Sequence, residues 1–349
     1  MLERLFGLLG SDLAIDLGTA NTLVGVAGEG VVVDEPSVVA VEEGTTRIVA
    51  GGRAVGHLAK QMLGRTPGSI TVVRPLSAGV ITDFALCEAM LRYFFNKAQR
   101  GAWSRGPRVL VAVPGSITPV EKRAVYNSAH RAGARQVFLV SEAIAAAVGA
   151  GLPITEPVAS MICDVGGGTT EVAVLSLGDV VASASVRVGG DRMDQAIVDF
   201  LRRRHNLRIG LATAEQLRID IGSAAPLDAE LSAEVRGVDA TSGLPRRTTL
   251  ASDEVREALD GPLDDIIDAL KSTLDGCSPD LAADLVDNGI VLTGGAALLR
   301  RFDVLIERRI GLPARVAPDA LATVAGGMLV LLEHLSEWQQ MLESSDDDV

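Results

Sequence analysis

The chain has 349 residues, 48% of them hydrophobic, and a formal net charge of −13, which is room for two domains with ample core. Its acidity and its scarcity of aromatics, with two tryptophans and two tyrosines, exclude a nucleic-acid surface built on basic patches and stacking rings. No apolar run reaches the roughly 18 residues that span a bilayer, and the scattered Cys87, Cys163 and Cys277 support neither a disulfide framework nor a metal cluster but a reducing compartment.

In chain order, Met1 to Leu9 read as one or two amphipathic turns, with Leu2, Leu5, Phe6 and Leu9 at helical spacing. They lack a signal peptide's basic start and long apolar region, so a cytoplasmic protein is expected. A strand from Leu13 to Ile15 meets Asp16-Leu-Gly-Thr-Ala-Asn-Thr22 and a second strand from Leu23 to Val26. Further strands are predicted at Val31 to Val33 and Ser37 to Val41, then a short helix from His57 to Leu63 closed by Gly64. A long helix, Phe84 to Gln99, leads through a Gly/Pro-bounded loop containing Trp103 into the buried strand Val109 to Val113. Thr118-Pro-Val-Glu121 is a capping box with proline at the first helical position, opening a helix that stops at Gly133. A strand from Gln136 to Val140 then delivers Ser141, the expected N-cap, and Glu142 to a small-residue helix, Ala143 to Val148.

The second half starts near Gly151, and its strand Met161 to Cys163 enters Asp164-Val-Gly-Gly-Gly-Thr-Thr170, followed by a strand from Val172 to Leu175. An insert carries Gly189-Gly-Asp-Arg-Met-Asp194 and a helix from Ala214 to Ile221; later a strand, Gly289 to Leu292, meets Thr293-Gly-Gly-Ala-Ala297 and a helix to Arg309. The longest apolar runs, Ala143 to Thr155 and Ala320 to Leu332, read as interior helix. Strands alternating with helices imply an α/β fold in two halves. The expected division is 1–33, 75–144 and 320–349 for one core with 34–74 inserted, and 145–186 and 253–319 for the other with 187–252 inserted.

The stretches at Asp16 and Asp164 match each other, Gly18 with Gly166, Thr22 with Thr170, Val24 with Val172 and Val26 with Val174. Glycines let backbone N–H groups surround an anion, and threonine hydroxyls add donors. A carboxylate at each turn can hold a hydrated Mg²⁺, which takes few protein ligands. Either stretch alone is as readily an ordinary turn. The matched pair points to a duplicated clamp for a nucleoside triphosphate.

These stretches, with Glu35-Pro-Ser-Val-Val39, Ala59-Lys-Gln-Met-Leu-Gly-Arg-Thr-Pro-Gly68 and Gly189 to Asp194, resemble the actin and sugar-kinase ATPase superfamily, and within it the MreB family of bacterial actins, from Asp12 to about Leu332. The resemblance implies an actin-like fold around a nucleotide cleft, with ATP and Mg²⁺ as cofactors and slow hydrolysis coupled to polymerisation. It implies homopolymeric filaments at the inner face of the cytoplasmic membrane, organising cell-wall synthesis and cell shape with membrane proteins of the elongation machinery. Asp16 and Asp164 would organise Mg²⁺, while Gly18, Thr19, Ala20, Asn21, Gly166, Gly167, Gly168 and Thr169 would cradle phosphates. Gly190, Asp191, Gly294, Gly295, Ala296 and Ala297 would line the nucleotide, with Glu215 and Arg218 beside ribose and adenine. Glu142 and Thr169 would orient the attacking water, in keeping with a hydrolysis that is mainly positioning and charge stabilisation.

Leu2, Leu5, Phe6, Leu9 and Trp103 are the expected membrane contacts. The chain departs from the family pattern at Ser141 and Ala143, where glutamate and proline usually flank the catalytic acid. It departs again at Ser77-Ala78, at Arg218 for lysine and at Ala296 for a third glycine, which would crowd the nucleotide slightly. The alternative is a chaperone-type or small-molecule-kinase ATPase of the same superfamily, although His57, His130, His205 and His334 form no evident catalytic set.

Overall fold

The computed structural model describes residues 12–99 and 106–344. They fall into two compact units, the first running to Val158 and taking in Leu175–Val180 and the chain from Leu321, the second comprising Ala159–Val174 and Val181–Ala320. Among the described residues no helix is long and apolar enough to cross a membrane.

The first unit contains β1 (Leu13–Leu17), β2 (Asn21–Val26), β3 (Gly30–Pro36), β4 (Val39–Glu42), β5 (Ile70–Val73), β6 (Arg108–Val113) and β7 (Gln136–Ser141). Its main sheet has the order β7-β6-β1-β2-β3, extended beyond β7 by Glu343–Ser344. β1 to β3 form an antiparallel meander, and β6 and β7 run parallel to β1. Helices α1 (His57–Met62), α2 (Phe84–Ala98), α3 (Pro119–Ala132) and α4 (Glu142–Gly149) fall where the periodicity predicts them. On α2 the buried set Leu86, Met90, Leu91, Phe94 and Phe95 follows the three-four spacing of one face, and the Asp83 carboxylate caps its start by accepting the Leu86 N–H. On α3 the capping box of Thr118 and Glu121 forms as expected and the helix ends at Gly133. β3 outruns the predicted Val31 to Val33 and breaks at Ser37, whose N–H turns to the carbonyl of Ala20.

The second unit contains β8 (Ser160–Val165), β9 (Thr170–Ser176) and β10 (Asp179–Val186) apart from their connecting end Leu175–Val180, and β11 (Ser232–Asp239), β12 (Pro245–Ala251), β13 (Ile290–Thr293) and β14 (Ala314–Val316). Its main sheet has the order β10-β9-β8-β13-β14, strand for strand the order of the first. The duplication in the sequence is therefore a duplication of sheet topology. Helices α5 (Gly190–Arg204), α6 (Leu211–Ile221), α7 (Ser252–Asp275), α8 (Pro279–Asn288) and α9 (Phe302–Ile310) complete it. β11 and β12 pair antiparallel, with the short strand Leu207–Arg208 on the free edge of β11.

Three expectations are corrected here. The helix expected from Ala214 starts earlier, at Leu211. The segment after β13 is a 3-10 turn, Gly295–Leu298, and the α-helix begins only at Phe302. Ser141 stands at the N-cap of α4 without a side-chain capping bond, because it is still paired in β7, opposite Val113 of β6, as the chain passes directly from strand to helix. β11, β12, α7 and α8 carry no sequence expectation: the hairpin is rich in exposed arginine, and Gly261 and Pro262 interrupt the pattern of α7.

Candidate functional site

In the first unit, Asp16 sits near the end of β1, opposite Leu23 and beside Ala112. Burial pushes its carboxyl up to about 7. Among the described residues no donor or cation answers it. The chain then turns tightly: a Cβ on Gly18 would lie 2.6 Å from the carbonyl oxygen of Asn21, so only glycine fits. The turn is braced from outside. Ser37 Oγ donates to the Gly18 carbonyl at 2.6 Å and lies 2.9 Å from Thr22 Oγ1, while the Ser37 N–H reaches the Ala20 carbonyl at 2.9 Å. Thr19 Oγ1 accepts the Gly79 N–H at 2.9 Å, and Asn21 reaches Asp34 at 3.4 Å. Thr19 and Ala20 themselves donate no backbone hydrogen bond among the described residues.

In the second unit, Asp164 is the penultimate residue of β8, almost fully buried and paired in register with Thr293. The turn closes with the Gly166 N–H on the Thr169 carbonyl at 2.9 Å, and Thr170 Oγ1 donates to the Val188 carbonyl at 2.7 Å. The start of α5 hangs on the same turn, with the Gly190 N–H on Gly166 O at 3.0 Å and the Asp191 N–H on Gly167 O at 2.8 Å. Gly167, Gly168 and Thr169 donate no backbone hydrogen bond among the described residues and are half-buried. Both turns thus present unspent N–H groups beside a carboxylate, half-buried at Asp16 and buried at Asp164. That is the donor set of a phosphate cradle.

Arg218 of α6 takes the carboxylate of Asp194 of α5 in two bonds, 2.7 and 3.3 Å. Burial holds the Asp194 carboxyl above its ordinary range despite Arg218, and the neighbouring Glu215 and Asp191 push the same way. Arg218, expected beside the base, is therefore first of all the strut between α5 and α6. Gly294 has φ +86, and a Cβ there would overlap the Asp164 carboxylate and the Val165 carbonyl, so glycine lets the strand end close on the acid. Ala296 and Ala297 are buried in the hydrophobic core. The methyl of Ala296 packs in that core, whereas the backbone of Gly294 and Gly295 is only half-buried.

Glu142 is the first residue of α4, half-buried, where a carboxylate faces the positive end of the helix. It belongs to the first unit and Thr169 to the second. The donor chemistry suits Mg²⁺: a desolvated carboxylate without counter-charge at Asp16, and among the described residues no cluster of three metal-binding side chains that would favour a fully protein-ligated ion. Leu2, Leu5, Phe6, Leu9 and Trp103 lie outside the described residues. The histidines make local contacts, His57 with Asp34 O, His130 with Ala134 O, His205 with Glu254 and His334 with Glu337.

Sequence reasoning missed the braces of the site. Ser37 and Glu35 were visible only as part of a motif, and no local pattern connects Ser37 to Gly18 or Asp194 to Arg218. Serine after a strand-ending proline was the one available signal.

Two sheets of one strand order, each opening on an Asp-x-Gly turn, define an α/β protein of the actin-like class. Solved structures agree: MreB5 of Spiroplasma citri bound to AMPPNP superposes with a TM-score of 0.89 at 36% identity, covering 95% of this chain and 98% of that one. The ADP-bound form of the same protein gives 0.89 at 35% identity, covering 95% and 99%. A MamK double helical filament gives 0.78 at 21% identity, covering 92% and 99%, a likeness of fold alone. The family model described as MreB/Mbl protein matches residues 10–340, and the chain belongs to that family. It is 51% identical to the cell shape-determining protein MreB of Escherichia coli K12 across 94% of each chain, and 43% identical to the cell shape-determining protein Mbl of Bacillus cereus across 93% and 96%.

Proposed function

We propose that this protein is an ATP-dependent, filament-forming bacterial actin that hydrolyses ATP slowly and organises cell-wall synthesis and cell shape. The observation that carries the reading is the repeated turn, an aspartate at a strand end followed by unspent backbone N–H groups, in a chain whose solved relatives include forms bound to AMPPNP and ADP. Family membership favours filament formation over the chaperone and kinase alternatives.

The N–H groups at Thr19 and Ala20 and at Gly167 to Thr169 donate to phosphate oxygens. Asp16 in the first unit and Asp164 in the second would each offer a carboxylate to hydrated Mg²⁺, whose charge would offset that of the phosphates. Gly190 and Asp191 line the nucleotide, and Glu215 and Arg218 serve its sugar and base, Arg218 through its hold on Asp194. Glu142 accepts a hydrogen bond from the attacking water, with Thr169 fixing the water's orientation, since phosphoryl transfer needs positioning and no covalent nucleophile. Attachment to the inner face of the cytoplasmic membrane comes through Leu2, Leu5, Phe6, Leu9 and Trp103, each anchor weak but multiplied along a filament. Membrane proteins of the elongation machinery are the partners this role requires.

Two measurements test the reading. Phosphate release per protein should rise above a threshold concentration together with sedimentable polymer. Glu142→Ala should bind ATP normally yet hydrolyse it about 10²–10⁴-fold more slowly, the range for a lost general base, and leave long-lived polymers. Equal rates for Glu142→Ala and wild type would remove this residue from the mechanism, and release strictly proportional to protein with nothing pelleting would remove the filament.

A further inference from the structure

The second unit is electrically divided. From Arg187 to Ser252 it holds ten arginines against nine carboxylates, whereas from Asp253 to Ala320 it holds seven basic residues against fourteen acidic ones. The cationic part is concentrated on the solvent face of the small sheet of β11, β12 and Leu207–Arg208. Register places Arg236 directly opposite Arg247, and Arg208 opposite Val238, so all three guanidinium groups share one face. The other face carries Val235 and Leu250, both buried.

Like charges directly opposite each other on a sheet are unfavourable. Arg236 and Arg247 share a single carboxylate, Glu234, at 3.1 and 3.5 Å, and among the described residues Arg208 has no ion pair. A face that keeps three exposed arginines to one acid is unfavourable in the free molecule and becomes favourable when an anionic surface covers it.

The same chain carries such a surface. On α7, Asp253, Glu257, Asp260, Asp264, Asp268 and Asp275 follow a three- and four-residue spacing in which Lys271 takes one place, and all are exposed; Arg309 pairs with Asp264 at 2.9 Å and Lys271 lies 3.9 Å from Asp268, which leaves the stripe in acidic excess. The stripe is about 33 Å long at the helical rise. Crowding is felt within it: burial, Asp264 and Glu257 together raise the Asp260 carboxyl above its ordinary range. Subunits of charge −13 repel one another, so assembly requires contact faces of opposite sign. We propose that the arginine face of β11 and β12 docks on the acidic stripe of α7 in a second copy of this chain, a head-to-tail contact that propagates a filament. Such a contact is heterologous and need not close into a ring. It rests on the filament reading above.

The test is a charge exchange in the full-length protein, followed by sedimentation with ATP and Mg²⁺, with nucleotide affinity measured in parallel as the control for folding. Arg236→Glu with Arg247→Glu, and separately Asp260→Lys with Asp268→Lys, should each raise the critical concentration about tenfold or more while leaving nucleotide affinity unchanged. The variant carrying all four substitutions should recover most of that loss, because the two faces again oppose each other in sign. Arg208→Glu, a single surface change, should weaken assembly in the same direction. Wild-type assembly by the arginine variant would overturn the proposal. So would its loss without recovery in the fourfold variant. If the arginine variant polymerises normally but no longer binds vesicles of anionic phospholipid, the face belongs to lipid headgroups and the proposal is wrong. A wild type that binds nucleotide yet never sediments would instead remove the filament reading, and this contact with it.

Discussion

Asp16 shows how a half-buried carboxylate, the one proposed above for Mg²⁺, can be a liability to folding. Its carboxyl is pushed up to about 7 because burial strips its water and, among the described residues, no donor or cation replaces it. A carboxyl raised above its unfolded value, near 3.9, takes up a proton on folding. The contribution therefore favours the folded state fully below about pH 4 and is lost as pH rises through about 7. The ceiling on this penalty is about 4 kcal/mol, since every tenfold change in proton affinity is worth about 1.36 kcal/mol. Asp16→Asn should accordingly flatten the pH dependence of urea unfolding between pH 5 and 8 and stabilise the metal-free protein at pH 8, while losing Mg²⁺-dependent nucleotide binding. An unchanged pH profile in that variant would mean that Asp16 is solvated after all.

At the scale of elements, Glu35 joins three of them. The carboxylate is almost fully buried at the end of β3; it accepts the His57 N–H at the start of α1 at 2.7 Å and pairs with Lys97 near the end of α2. Two residues on, Ser37 braces the turn after Asp16. The stretch Glu35-Pro-Ser37 is thus a short link from that turn to the segment that carries α1. Glu35→Ala leaves the His57 N–H without an acceptor and should destabilise the protein by about 2–4 kcal/mol, a partly buried network losing its centre. Glu35→Gln keeps an acceptor and should cost about 1 kcal/mol. Hydrogen exchange should report lost protection in β4, α1 and β5 ahead of β1 and β6 if the link holds the insert; uniform loss across all five would deny it that role.

For the molecule as a whole, charge governs association. With −13 per subunit, critical concentration should fall on moving from low to moderate ionic strength, as screening relieves repulsion, and rise again in high salt as complementary faces are screened in turn. A critical concentration that changes monotonically with salt would show that one of the two effects is absent. The amino-acid sequence by itself determined the paired aspartate turns, the capping box of α3 and the family, because these depend on residue identity over a few consecutive positions and on the order in which they recur. The strand order shared by both sheets extended that reading, since β1 and β8 open the same fold. Tertiary structure alone decided what braces the turns: Ser37 on Gly18, Gly190 and Asp191 on the glycine loop, Gly294 against Asp164, Arg218 on Asp194, and the methyl of Ala296 in the core. Each joins residues distant in the chain through sheet register and helix packing. A single sequence carries no signal for such contacts until the chain has closed on itself.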